Sequence, residues 1–264
     1  MKIPPIGVDI DDFRLPVKDA LHRAAELNLR HVELSTVVGD LAPNNLSPSG
    51  RRHLLRLFDQ LGLKLAALTA DIPRIGLTDP KTVDERVQRT LQIIDLSRDL
   101  GVRMVTSAVG ALTHPQNGQP SPSAIEALRQ IGEHADSRGI IYAIRPSFDS
   151  EERLSSVLNE LRCPSIGICL DPAAMIMSGA NPIAVVEHLS QHLRLVHARD
   201  GTVGLAQQPG QETVIGQGDV DFTTLAKALT DLDYHEPLIL RRQDSQTPTN
   251  DISTSRDRLI SYFP

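Results

Sequence analysis

Val8-Asp9-Ile10-Asp11-Asp12 is the stretch that decides the architecture. It follows the first apolar run, where an open doubly wound sheet would carry a Gly-rich turn to hold a pyrophosphate, and its three carboxylates repel a phosphate instead. From there to the end of the chain, short β-branched runs alternate with segments of helical period. That alternation is the signature of a parallel α/β sheet. Strand runs start near Ile3, His31, Leu63, Arg103, Ile140, Ser165, Leu193 and Pro237, and a helical pattern follows each. Ile125, Leu128, Ile131 and Ala135 form one apolar stripe, and Phe222, Leu225, Leu229 and Leu232 form another. Eight strand-then-helix units in 264 residues predict an α/β fold, a single (β/α)8 TIM barrel spanning residues 1–264.

The punctuation agrees with this division. Pro48 precedes the second helix, while Gly62, Gly101 and Gly139 follow the second, third and fourth. None of them reads as a domain linker. The least regular segment runs from Gly201 to Gly218, rich in Gly and Gln, and has the length of a lid or binding loop. Within it, Gly216-Gln217-Gly218 lacks the third glycine of a dinucleotide site and precedes a helix capped by Asp219 or Asp221, so it reads as a turn.

Composition narrows the function classes. Hydrophobic residues make up 40% of the chain and charged residues 23%, as in ordinary globular proteins. A net charge of -6 argues against nucleic acid and against an anionic membrane surface, both of which need clustered Lys and Arg. Absence of Trp removes the best stacking platform for single strands. No apolar run is long enough to span a membrane, and the first residues lack a secretory signal, which predicts a cytoplasmic protein. Cys163 and Cys169 have no Asp, Glu or His between them and read as free buried thiols. His188 and His192 have zinc-like spacing but fall on a helix outside the barrel, as a surface pair.

In a barrel the chemistry sits at the C-terminal ends of the strands, so polar residues just past each apolar run are the candidates. These are Asp9, Glu33, Asp71, Arg145 and Asp171, then His197, Arg199 and Asp200 on strand seven, and Arg241 and Arg242 on strand eight. Leu170-Asp171-Pro172, Leu195 to Asp200, Gly216 to Phe222 and Pro237-Leu238-Ile239-Leu240, with Val32-Glu33-Leu34 after the first helix, resemble the xylose isomerase-like TIM barrels, the sugar phosphate isomerase/epimerase superfamily. The likeness covers nearly the whole chain.

This resemblance implies a divalent metal held by a Glu on strand five, an Asp on strand six, a His on strand seven and a Glu on strand eight. The metal polarises the substrate's oxygens while the glutamates move a proton between adjacent carbons. Asp171 and His197 match that pattern, but the two glutamate positions hold Arg145 and Arg241, and Ala174 stands where a further His is common. Arginine has no lone pair for a metal, so the sequence predicts no metal cofactor, unless shifted ligands such as Glu33 or His114 replace the lost ones.

Two readings follow. In the first, the protein is isomerase- or epimerase-like, acting on a small sugar or sugar derivative without the metal, with Asp171, His197 and Glu33 as catalytic candidates. In the second, it is a non-catalytic barrel that binds a sugar acid or sugar phosphate through Arg145 and Arg241, helped by Arg199 and Asp200. Against both stands a structural network in which Arg145 pairs with Asp171 and Arg241 with Asp9 or Glu33, while Asp9, Asp11 and Asp12 read as a solvated acidic loop rather than a cation cluster. An endonuclease of the same superfamily would need several metal ligands and a basic groove, which the sequence does not offer. The partner is therefore a small molecule, and a homo-oligomer is compatible with everything above.

Overall fold

The computed structural model describes residues 3–73, 75–114, 116–145, 149–204 and 209–263. Barrel strands β1 (Ile6–Asp9), β2 (His31–Ser35), β3 (Lys64–Thr69), β4 (Met104–Ala108), β5 (Ile141–Arg145), β6 (Ile166–Leu170) and β7 (Leu193–Ala198) pair in parallel, each with its chain neighbour. After them β8 (Asp200–Gly201) and β9 (Glu212–Thr213) form a small antiparallel pair. Strand β10 (Leu238–Leu240) then inserts between β7 and β1 and closes an eight-stranded parallel barrel.

The outer layer is α1 (Val17–Glu26), α2 (Pro48–Leu61), α3 (Val83–Asp99), α4 (Pro122–Arg138), α5 (Glu151–Leu161), α6 (Pro172–Met177), α7 (Pro182–His188), α8 (Phe222–Asp231) and α9 (Pro248–Tyr262). The sixth unit carries two short helices where the sequence pattern suggested one. Pro48 occupies the first turn of α2, and Gly62 and Gly139 close α2 and α4 in the left-handed conformation that favours glycine. The α4 stripe of Ile125, Leu128, Ile131 and Ala135 is buried. In α8 the stripe ends one residue early, because Leu232 is the C-cap and 39% exposed.

Ala67, Ala143, Cys169, Leu195 and Ile239, from five different strands, fill the barrel interior as one apolar cluster. Their burial leaves no water-filled pore, so polar chemistry is confined to the layer above, at the strands' C-terminal ends. Gly7 is required by the closure: a Cβ there would lie 2.3 Å from the His31 carbonyl oxygen, and only glycine lets β1 and β2 approach so closely. Among the described residues no helix is long and apolar enough to cross a membrane.

Candidate functional site

Of the seven residues named in the two functional readings, six meet at the barrel mouth, and the seventh, Asp200, does not. The deepest polar layer is Glu33 on β2 and His197 on β7, both with fully buried side chains. Glu33 accepts hydrogen bonds from Thr69 Oγ1 at 2.8 Å and from Thr106 Oγ1. Its Oε2 lies 2.7 Å from His197 Nε2, off the ring N–H axis, so the pair is a close polar contact rather than a linear hydrogen bond. On the far side of the ring, Arg145 Nη1 stands 3.3 Å from His197 Nδ1. A guanidinium only donates, so Nδ1 is the acceptor and the imidazole proton sits on Nε2, facing Glu33.

Charge states follow from this geometry. Burial pushes the His197 pKa down against the pull of Glu33, and Arg145 and Arg241 lower it further, so the ring is neutral. Burial alone would raise the Glu33 carboxyl, but the His197 contact, Arg241 and the Thr106 hydroxyl outweigh it and hold the group below the usual carboxylate range. Arg145 pairs with Asp71, whose other oxygen accepts from the Ala108 amide at 2.6 Å. Burial opposes the charge on Asp71, and Arg145, the Ala108 amide and Arg241 together outweigh it and hold the carboxyl below its usual range.

The structural pairing differs from the sequence expectation. Asp171 pairs with Arg199 (3.2 Å) rather than with Arg145, and it also caps α6 by accepting from the Ala174 amide at 2.9 Å. Arg241 does reach Asp9 (3.1 Å), as anticipated, but takes Asp12 (3.1 Å) as its second partner and not Glu33. Asp9 and Asp12 are 1% and 5% exposed, so they are buried counter-ions, and the solvated acidic loop shrinks to Asp11. The reason is tertiary: Arg241 enters from β10 and draws both carboxylates inward. Burial still pushes the Asp9 pKa well up, with Arg241 pulling against it and the neighbouring carboxylates reinforcing it.

Asp200 belongs to another job. Fully buried, it accepts from the backbone amides of Gly201, Gly216, Gly218 and Val220, and so ties the start of the 201–218 segment to its end. Gly218 has no room for a Cβ, which would sit 2.3 Å from the Asp200 carboxylate. Part of this segment, residues 205–208, lies outside the described residues. Gly216 is a turn with φ +80°, and α8 is capped by Asp221, which accepts from the Thr224 amide at 2.9 Å. His188 contacts Glu151 at 3.3 Å on the surface, His114 is exposed, and both cysteines are free thiols. Cys163 is only partly buried, in contrast to the expectation for it.

Some of the mouth was not foreseen. Glu212 on β9 clamps Arg199 at 3.0 Å and Arg242 at 3.3 Å, and also accepts from the amides of Gln243 and Asp244. Arg86, at a core position of α3, is 2% exposed and donates to the carbonyls of Ala70, Ile72, Ile75 and Ala108. That positively charged staple joins the β3 and β4 ends where Asp71 and Ala108 sit. An arginine inside an apolar helix stripe was the one signal available for it.

Above this layer opens a cavity of about 180 Å3, lined by Ala108, Arg145, Asp171, Ala174, Arg199, Arg241 and Gln243. Three guanidiniums and one carboxylate therefore make its charged wall, while Glu33 and His197 lie beneath. Carboxylates hold each guanidinium. Arg199 uses Nε and Nη1 for Glu212 and Asp171, Arg241 uses Nε and Nη1 for Asp12 and Asp9, and Nη2 of both has no partner among the described residues. Also among the described residues, no group of three or more His, Cys, Asp or Glu is arranged to hold a metal ion.

The family model "Xylose isomerase-like TIM barrel" matches residues 21–262. The chain belongs to the xylose isomerase-like TIM barrels. Within this sugar isomerase/epimerase superfamily it is 22% identical over 195 residues to the ketose 3-epimerase of Arthrobacter globiformis, covering 70% of this chain and 64% of that protein. It is 24% identical over 232 residues to the uncharacterized protein YihM of Escherichia coli, covering 84% and 64%. The chain thus spans less than two thirds of the length of these curated relatives. Among solved structures, a xylose isomerase domain protein from Planctomyces limnophilus superposes with a TM-score of 0.84 at 21% identity, covering 98% of this chain and 96% of that one. The fold of the family is shared over nearly the whole chain.

Proposed function

We propose that the mouth of this barrel binds a small anionic sugar derivative through Arg145, Arg199 and Arg241 and does so without a divalent metal. The observation that carries this reading is the cavity wall of three guanidiniums held by carboxylates, with Nη2 of Arg199 and of Arg241 uncommitted among the described residues. Bracing fixes the donors before the ligand arrives, which lowers the ordering cost of binding. Each charge-assisted bond to a carboxylate or phosphate oxygen then contributes about 1.5–3 kcal/mol.

The residues present do not fit a metal. His197 is fully buried with its Nδ1 already facing Arg145, and Asp171 is engaged by Arg199. A divalent ion would also stand against cations that have no lone pair to offer it. Calorimetric titration with sulfate or inorganic phosphate tests the anion reading. Wild type should bind at least tenfold more tightly than Arg199→Met, and an identical response in the two proteins would make the arginine cluster purely structural.

Membership of the superfamily and one further observation favour a second reading, proton transfer. Asp171 is a carboxylate on the cavity wall, kept ionised because Arg199 and Arg145 outweigh its burial. It could remove a proton from the hydroxyl-bearing carbon beside a substrate carbonyl and return it to the former carbonyl carbon, while the hydroxyl proton passes to the former carbonyl oxygen and a guanidinium stabilises the enediolate. A carboxylate held below its usual pKa is a weak base, and Glu33 and His197 lie beneath the wall, which leaves binding as the better supported function. Incorporation of solvent deuterium into a bound ketose or sugar acid, lost in Asp171→Asn, would favour the catalytic reading instead.

A further inference from the structure

The cavity wall is asymmetric, and the asymmetry specifies more than an anion. Asp171 accepts a hydrogen bond on Oδ1 from the Ala174 amide and one on Oδ2 from Arg199 Nη1. A carboxylate has about four lone-pair sites, so acceptor capacity remains on both oxygens. That carboxylate repels a second anionic group but accepts from a neutral donor, and an alcohol O–H is the donor a sugar derivative carries. The uncommitted Nη2 groups of Arg199 and Arg241 take the anionic end, and the remaining lining residues, Ala108, Ala174 and Gln243, are uncharged. Size narrows the class further. At about 180 Å3 the cavity is smaller than the roughly 300–1,000 Å3 of ordinary ligand sites, which favours a short carbon skeleton over a phosphorylated hexose.

We infer that the ligand is a short hydroxy acid, its carboxylate bound by Arg199 and Arg241 and a hydroxyl donated to Asp171. This rests on the anion-binding reading of the same cavity and adds the hydroxyl, the single negative end and the short chain. Asp171 is the specificity-determining residue, because it rewards the hydroxyl and penalises a second carboxylate.

Calorimetric titrations of wild type and Asp171→Asn with glycerate, propionate, malonate and glucose 6-phosphate test this, with inorganic phosphate as the general anion probe. Asparagine keeps an oxygen for the Ala174 amide while removing the charge. Wild type should prefer glycerate to propionate by about tenfold, the effect of one charge-assisted hydrogen bond. In Asp171→Asn that preference should fall to within about threefold while both anions still bind, and malonate should gain. Propionate binding as tightly as glycerate, glucose 6-phosphate outcompeting it, or an undiminished preference in Asp171→Asn would each overturn the hydroxy-acid assignment and leave anion binding standing. Failure of all five ligands, phosphate included, would remove the anion-binding reading itself.

Discussion

Arg241→Met removes the cation that two buried carboxylates share while nearly keeping the side-chain volume. Arg241 is 6% exposed in its side chain, and Asp9 and Asp12 are 2% and 5%, so water does little of the screening. At 3.1 Å and an effective dielectric of about 20, each pair is worth about 5 kcal/mol of Coulomb attraction. Most of that is offset by the cost of desolvating the guanidinium, and breaking a buried pair in this way typically costs about 3–5 kcal/mol. The loss should depend on pH. Burial raises the folded-state pKa of Asp9, and Arg241 is the main influence lowering it, so the folded pKa climbs further in the variant. A carboxyl whose folded pKa exceeds its unfolded one binds more protons when folded, so stability falls as pH rises from about 3.9 through the folded value. The variant's deficit should therefore shrink as the pH is lowered from 7.5 to 5.5. Urea unfolding followed by far-UV circular dichroism, the natural probe for a chain with no Trp, measures both quantities. A deficit below about 1 kcal/mol at pH 7.5, or one equal at both pH values, would refute the view that Arg241 neutralises Asp9 and Asp12.

The depressed pKa of His197 has its own sign. The unfolded ring binds the extra proton first, so its contribution to stability is present above about pH 6.5 and is lost as pH falls toward the folded value. Nitrogen-15 spectra of the ring should show the neutral Nε2–H tautomer at pH 7, and an imidazolium there would contradict the Arg145 contact. Asp200→Ala strands four backbone amides and should cost about 3 kcal/mol, with faster proteolysis within 201–218 and an unchanged far-UV spectrum in the absence of urea. Unaltered stability would mean that Asp200 does not hold that segment. Elemental analysis of the dialysed protein should find no stoichiometric manganese or zinc, whereas about one equivalent that disappears in Asp171→Ala would restore a metal to the mouth.

Local pattern carried the fold a long way. The alternation of β-branched runs and helical stripes, together with Asp9, Asp11 and Asp12 where a phosphate-binding turn would stand, implied a parallel barrel, and the observed starts of β2 to β7 and β10 fall within one residue of those read from the chain. Strand ends also pointed to the mouth residues, because the barrel puts every such end on one face. Pairing was a different matter. Arg145 meets Asp71 across 74 residues of chain, and Arg241 meets Asp12 across 229, so neither partner could be read from spacing. Asp200 looked the same as Asp171 at a strand end, yet one turns into its own loop and the other caps α6 at the cavity wall. Residue type and period are written locally and fix which elements form. The charge state of each mouth residue depends on desolvation and on partners brought from distant strands, and those exist only once the barrel has closed.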